Sequence, residues 1–205
     1  MSPSTSTRAR SGVDKVEDRR RELADAALVT LADLGYARTS LRTIAENTAF
    51  SHGLLHYYFA DKTELITYCV RRFKTTCAAQ YEGLVAGEST PDGLATACGD
   101  GLAATLADAP LLHRLWYDLR AQSMFEQAYR EDVAEIDGSL QDMMWRVVRG
   151  YAELAGTEPT CTPSAAYAMF DGLFQQALHR HLAGSATALD DLRTGCRELL
   201  PRLVS

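Results

Sequence analysis

The sequence predicts an all-α protein of about nine helices: an N-terminal three-helix domain with a helix-turn-helix, then a larger helical domain. Three observations carry this. Apolar residues recur at spacings of three and four along most of the chain, clusters of Gly, Ser, Thr and Pro punctuate that pattern, and no stretch alternates as a sustained strand would.

The polar, Ser/Thr-rich opening "MSPSTSTRARSGVDK" has no apolar core for a secretory signal, so residues 1–15 read as a disordered arm of a cytoplasmic protein. From Val16 to Leu34, Ala24, Ala27, Leu28 and Leu31 share one helical stripe, and Gly35 supplies a stop. Over residues 40–48, Leu41, Ile44, Ala45 and Thr48 repeat the pattern briefly. Ser51 is placed to cap a short helix ending near Phe59, with Leu54, Leu55 and Phe59 on its inner side. Asp61 with Glu64 three residues on forms a capping-box start for a helix from Lys62 to about Val85. The breaks "AGESTPDG", "DAP" and "AGTEPTCTP" then separate helices over roughly 92–107, 110–124, 126–155 and 163–183, and a last one runs from Ala186 to Val204, interrupted near Pro201.

The domain division that follows is 1–15 arm, 16–61 helix-turn-helix domain and 62–205 second helical domain. No run of about eighteen apolar residues is present, so no membrane span is expected. The five cysteines are scattered with no CxxC pair, which suits reduced thiols and argues against a disulfide framework or zinc site. The net charge of −6 is uneven: residues 1–75 hold 12 Lys/Arg against 9 Asp/Glu, the remainder 9 against 18. A basic head on an acidic body suits a polyanion partner for the head.

Residues 51–58 fit the second helix of a helix-turn-helix, whose outer face enters the DNA major groove. His52 and Tyr57 carry tips able to reach base edges or phosphates. Gly53 removes a side chain where a backbone must come close. Lys62, at a helix start, places an ammonium beside free N–H groups for one phosphate.

With these residues in place, the stretch "TSLRTIAENTAFSHGLLHYYFADKTELI" resembles the DNA-binding signature of the TetR/AcrR family of bacterial transcriptional regulators, over about Arg19 to Phe73. The resemblance rests on Thr39 and Ser40 opening the second helix, Ile44 and Ala45 in its core, Ser51 and Gly53 opening the recognition helix, Tyr57 and Phe59 closing it, and Lys62 and Leu65 after it. The candidate contacts to double-stranded operator DNA are Thr39, Ser40, Arg42, Ser51, His52, Gly53, Leu54, His56, Tyr57, Tyr58 and Lys62. Two residues depart from the family pattern. Ala49 stands where members usually have glycine, at a cost of about 1–2 kcal/mol if that residue is left-handed. His56 replaces a common tyrosine, so its hold on phosphate would depend on protonation.

The resemblance implies that the C-terminal region binds a small-molecule effector and forms a homodimer through a four-helix bundle, on a palindromic operator. The candidate pocket residues are His113, Trp116, Tyr117, Arg120, Met124, Met144, Trp145, Phe170 and Phe174, beside Met143 and Gln175, since aromatic and methionine side chains make an adaptable apolar pocket. Ordinary core packing remains open for each, and Arg120 with Asp118 reads either as an internal pair or as a ligand anchor. The candidate dimer stripe is Ala166, Phe170, Leu173, Ala177 and His181. "HRH" at 179–181 puts alternate residues on different sides of a helix, which argues against a metal. No nucleophile–base pair, phosphate loop or metal motif points to catalysis, and no cofactor is expected. The sequence thus reads as a DNA-binding regulator, a repressor rather than an activator, released by an apolar or aromatic molecule. The alternatives are a small all-α enzyme and a redox-sensing regulator using Cys69 or Cys77.

Overall fold

The computed structural model describes the backbone of residues 5–205, and the side chains of all of these except 5–13, 77–82 and 84–86. Among the described residues the chain is helical throughout, with a single isolated bridge between Pro159 and Val204. It divides into two compact units, 1–70 and 71–205.

The N-terminal unit begins with α1 (Thr5–Leu34), which starts within the segment read as a disordered arm rather than at Val16. Residues 1–4 lie outside the described residues. Ala24, Ala27 and Leu31 are fully buried, as their spacing predicts, joined by Leu23, and Leu28 is half-buried. Gly35 ends the helix at φ 74°, donating its N–H to the Leu31 carbonyl at 2.9 Å. This is the left-handed stop that glycine adopts without a Cβ penalty.

Next come α2 (Leu41–Glu46) and α3 (His52–Tyr58), each capped by a serine. Ser40 Oγ accepts from the Thr43 N–H at 3.0 Å and Ser51 Oγ from the Leu54 N–H at 3.2 Å. The turn between them contains Ala49, yet no non-glycine residue among those described has positive φ. The expected left-handed strain is therefore absent. Asn47 Nδ2 donates to the Thr43 carbonyl at 2.8 Å and Thr48 Oγ1 accepts from the Phe50 N–H at 3.3 Å, so side chains carry the reversal.

The capping box of α4 (Lys62–Gly87) forms with one shift. Asp61 accepts from the Glu64 N–H at 2.9 Å, while Glu64 reaches back to the N–H of Ala60 at 2.7 Å. Leu65, Ile66, Cys69 and Val70 are buried, and the Cys69 thiol donates to the Ala24 carbonyl at 3.5 Å. The first turns of α4 thus belong to the N-terminal unit, which ends at Val70 rather than at residue 61. Arg20 adds a second tie: it pairs with Glu64 at 2.6 Å and lies 4.8 Å over the Phe59 ring.

The C-terminal unit holds the rest of α4, then α5 (Pro91–Asp108), α6 (Pro110–Gln122), a 3₁₀ turn (Gln127–Tyr129), α7 (Arg130–Ala155), α8 (Pro163–Leu182), α9 (Ala188–Leu199) and a final 3₁₀ turn (Leu200–Leu203). Proline opens α5, α6 and α8, where its missing N–H costs nothing. Thr90 and Thr162 cap α5 and α8. The helices α5 and α9 approach until a Cβ at Gly99 would lie 3.0 Å from the Arg193 carbonyl oxygen, so a larger residue there would press the two backbones apart by a few tenths of an ångström. Arg71 on α4 is held by Asp132 and by Glu135 at 2.7 Å, both on α7.

Candidate nucleic-acid interface and internal cavity

In the N-terminal unit, burial of Leu55 and Phe59 anchors α3 and turns its other side outward. His52, Gly53, His56 and Tyr57 are exposed, Tyr57 to 79%. The His52 and His56 rings meet edge-on at 4.5 Å, and Tyr57 packs against Tyr58 at 5.0 Å. A shallow depression lined by Thr39, Ser40, Leu41, Arg42, His52, His56, Asp61 and Lys62 adjoins them. A Cβ at Gly53 would meet nothing within 4 Å, so the chain's own packing does not require glycine there.

Most of the expected contact set is thereby gathered on one surface. Ser40, Arg42 and Ser51 are exposed with the helix tips, and Leu54 and Tyr58 are half-buried. Thr39 differs: it is 3% exposed and its hydroxyl donates to the Gly35 carbonyl at 2.7 Å, so it supports the turn instead of facing outward. Lys62 also differs from expectation. Its ammonium folds back to donate to the Tyr36 carbonyl at 3.2 Å, 3.9 Å from the Tyr36 ring centroid, where carbonyl and ring face both attract a cation.

The C-terminal unit contains a partly open cavity of about 50 Å³. Five helices wall it: Lys74 from α4, Leu102 and Thr105 from α5, His113, Trp116 and Tyr117 from α6, Leu140, Met143 and Met144 from α7, and Tyr167, Phe170, Asp171 and Phe174 from α8. His113 is 2% exposed, between the rings of Phe73 at 4.9 Å and Phe174 at 4.7 Å. Its Nε2–H donates to the Thr105 carbonyl at 3.0 Å, which leaves Nδ1 to accept from the Lys74 ammonium at 3.1 Å. Burial, then the Lys74 charge, pushes the His113 pKa down to about 3 against the Thr105 bond, so the ring is neutral.

Elsewhere on the wall, Tyr117 donates to Asp171 at 2.9 Å, and Tyr167 donates to Asp137 at 2.7 Å. Arg120 bridges the two carboxylates, at 2.5 Å from Asp171 and 3.1 Å from Asp137. Burial first, then the Asp171 charge, raises both tyrosine pKa values far above the ordinary phenol range, so the hydroxyls act as neutral donors. Burial works against the Arg120 charge, but the Asp171 bond and the two aspartate charges outweigh it and raise its pKa.

Of the expected pocket residues, His113, Trp116, Tyr117, Met144, Phe170 and Phe174 line the cavity, as does Met143. Three do not. Arg120 stands behind the wall, paired with Asp171 and Asp137 and not with Asp118. Trp145 is half-buried and off the cavity, one residue and thus about 100° around the helix from Met144. Met124 lies beyond the end of α6, 69% exposed, beside a separate surface depression that it shares with Arg120 and Gln175. Sequence reasoning missed Tyr167 and Asp171, which the spacing 167–170–171–174 puts on one helical face with Phe170 and Phe174. It also missed Lys74, Leu102, Thr105 and Leu140; a buried lysine leaves no periodic signal.

The expected dimer stripe lies largely inside the protomer. Ala166, Phe170 and Ala177 are buried inside the protomer, and Leu173 and His181 are half-buried, because that stripe packs on the unit's own core. The outward face of α8 is displaced around the helix, through Ala165, Ala168, Met169, Gly172, Gln176 and His179. Of the two cysteines considered for a redox switch, Cys69 is fully buried, and Cys77 lies outside the described side chains.

Comparison with known proteins agrees with this arrangement. The family described as "Bacterial regulatory proteins, tetR family" matches residues 23–69. The chain is 26% identical over 167 residues to the HTH-type transcriptional repressor KstR2 of Mycobacterium tuberculosis, covering 67% of this chain and 83% of that one. Among solved structures, a TetR transcription regulator from Haloarcula marismortui superposes with a TM-score of 0.75 at 16% identity, over 92% of this chain and 100% of the other. The regulator FadR of Bacillus subtilis, in complex with stearoyl-CoA, gives 0.72 at 17% identity, over 88% and 96%. The capped α2–turn–α3 unit and the family match fall on the same residues, so residues 23–69 carry the region shared by the tetR family of bacterial regulatory proteins.

Proposed function

We propose that this protein is a ligand-responsive transcriptional repressor that binds a palindromic operator as a homodimer and releases it when an apolar or aromatic molecule enters the cavity. The observation that carries this reading is the pairing of an exposed polar α3 face with an aromatic-lined cavity in the other unit. The helix α4 holds residues of both: Lys62 at its start and Lys74 on the cavity wall. A molecule that needs more room than about 50 Å³ displaces the wall, and α4 is part of it. Such a ligand releases DNA only through its different affinity for the two arrangements.

In this reading residues 5–70 contact DNA and residues 71–205 hold effector and partner. The outward face of α8 is the dimer surface, its small residues allowing close approach of a second copy. Recognition helices then match half-sites about 34–36 Å apart, or a multiple of that. The ligand held by the FadR structure and the repressor name of the KstR2 relative support the effector and the direction of control. No helix among the described residues is long and apolar enough to cross a membrane.

A gel shift with DNA from beside the protein's own coding region tests the core of the proposal. Specific retardation, competed by that DNA far better than by random DNA, is expected; equal competition would refute operator recognition. Gly172→Arg, at a position where a Cβ meets no atom of the chain, should convert the dimer to a monomer in sedimentation. An unchanged sedimentation coefficient would move the dimer face elsewhere.

A further inference from the structure

We propose that the effector is an organic anion, a mainly apolar molecule whose carboxylate docks at the part of the cavity wall formed by Lys74 and Trp116. The inference rests on reading this cavity as the effector site.

Two donors stand on that part of the wall. Lys74 is 7% exposed, with its ammonium 5.5 Å from the Trp116 ring centroid and 6.0 Å from that of Phe174. The indole N–H of Trp116 is buried and meets no hydrogen-bond acceptor among the described residues. A buried donor without an acceptor is costly, and it marks a place where an acceptor is wanted. Against Lys74, His113 offers an uncharged nitrogen, because its other nitrogen donates to Thr105. The Lys74–His113 bond is charged on one side only, whereas a carboxylate brings a full opposite charge to a buried ammonium, so it outcompetes the neutral imidazole. One carboxylate oxygen then faces the ammonium, and the second takes the indole N–H.

The rest of the wall sets the class further. Around Asp171 and Asp137 the donors are already used by Tyr117, Tyr167 and Arg120, and one arginine stands against two aspartates. That region repels a second anion. A cationic ligand is disfavoured at Lys74, and a purely apolar one leaves the Trp116 N–H without an acceptor. What remains is a single anionic group on an apolar body. About 50 Å³ admits only a few water molecules, so the body must displace wall side chains. Met143 and Met144, unbranched and adaptable, are suited to give way.

Calorimetric titration of the full-length protein with octanoate, 4-phenylbutyrate, octan-1-ol and octylamine tests this, beside gel shifts with operator DNA. The carboxylates should bind at least about tenfold more tightly than octan-1-ol, and octylamine most weakly. Trp116→Phe keeps the ring and removes the donor; it should weaken octanoate about three- to tenfold and leave octan-1-ol unchanged. Lys74→Met should abolish the preference for the acid. The proposal is overturned if alcohol and acid bind wild type equally, if the amine binds best, if neither carboxylate binds folded protein at millimolar concentration, or if the acid preference survives both substitutions. Should Lys74→Met fail to fold by circular dichroism, the wild-type comparison and Trp116→Phe decide. Failure of the regulator reading appears separately, as absence of operator retardation by the ligand-free protein.

Discussion

In the N-terminal unit, the side chains proposed to meet DNA come from the short stretch 39–62, mostly from two short helices and their caps. In the C-terminal unit, five helices each contribute to the cavity wall. The first surface displays its polar tips to solvent, and burial of a few residues such as Leu55 and Phe59 is enough to aim them. The second buries most of its polar groups, and nearly all of them, the Trp116 N–H excepted, are matched by something from another helix. The teaching is about tolerance. A displayed site can change its residues with little effect on folding, whereas an enclosed one ties specificity to stability.

Four substitutions would break or sharpen that contrast. The largest effect is expected from Trp116→Ala, which empties a fully buried indole from the cavity wall. Denaturant unfolding should show a loss of about 3–5 kcal/mol in the C-terminal unit; a loss under 1 kcal/mol would mean that the enclosed site is as tolerant as the displayed one.

The pH dependence of stability comes next. His113 has a folded pKa of about 3 against the ordinary 6.5, so between these values the unfolded chain binds the proton and the folded chain does not. Its contribution is therefore intact above pH 6.5 and lost as pH falls towards 3, with a slope of up to about 1.4 kcal/mol per pH unit. His113→Gln, which keeps a donor and an acceptor without titrating in this range, should lack that component in acid-unfolding curves. Equal slopes would remove His113 as the source.

In the N-terminal unit the numbers fall. Ser51→Ala deletes the cap on the Leu54 N–H and should cost about 1 kcal/mol, with weaker operator binding in gel shifts because α3 frays. Unchanged binding would show that the packing of Leu55 and Phe59 alone holds the helix. Smallest is Ala49→Gly. Since the turn contains no residue with positive φ, restoring the glycine usual in the family should destabilise by roughly 0.4–1 kcal/mol, through a more flexible unfolded chain. A gain in thermal stability would show that Ala49 is strained after all.

The same contrast explains what could be read from the sequence. Helix starts were legible where a side chain marks them: Ser51 and Asp61 cap as the sequence suggests, whereas α6, α7 and α9 begin without a side-chain cap and α1 begins before its expected start. The α3 surface was legible because its residues are neighbours in sequence. The cavity was legible only in part. His113, Trp116 and Phe174 were recoverable as aromatic clusters, but Lys74 lies 39 residues from the histidine it touches, and nothing local marks it as buried. The α8 stripe was misassigned because periodicity reveals that a helix has an apolar face, not whether that face meets its own chain or another.

The close crossing of α5 and α9 at Gly99 and Arg193 bears on how the protein is made. A ribosome delivers the chain in order, at about 5–20 residues per second. The N-terminal unit has all its packing partners once Val70 has emerged. By contrast, α5 waits until Arg193 is synthesised before its closest partner arrives, and Glu158 waits for Ser205, with which it exchanges backbone hydrogen bonds at 3.1 and 3.0 Å. For several seconds of every synthesis, the N-terminal unit is therefore complete while the C-terminal one is not, with the apolar face of α5 uncovered. That interval is when chaperone capture or a mistaken pairing of nascent chains would act, and a ribosomal pause placed before α9 would lengthen it.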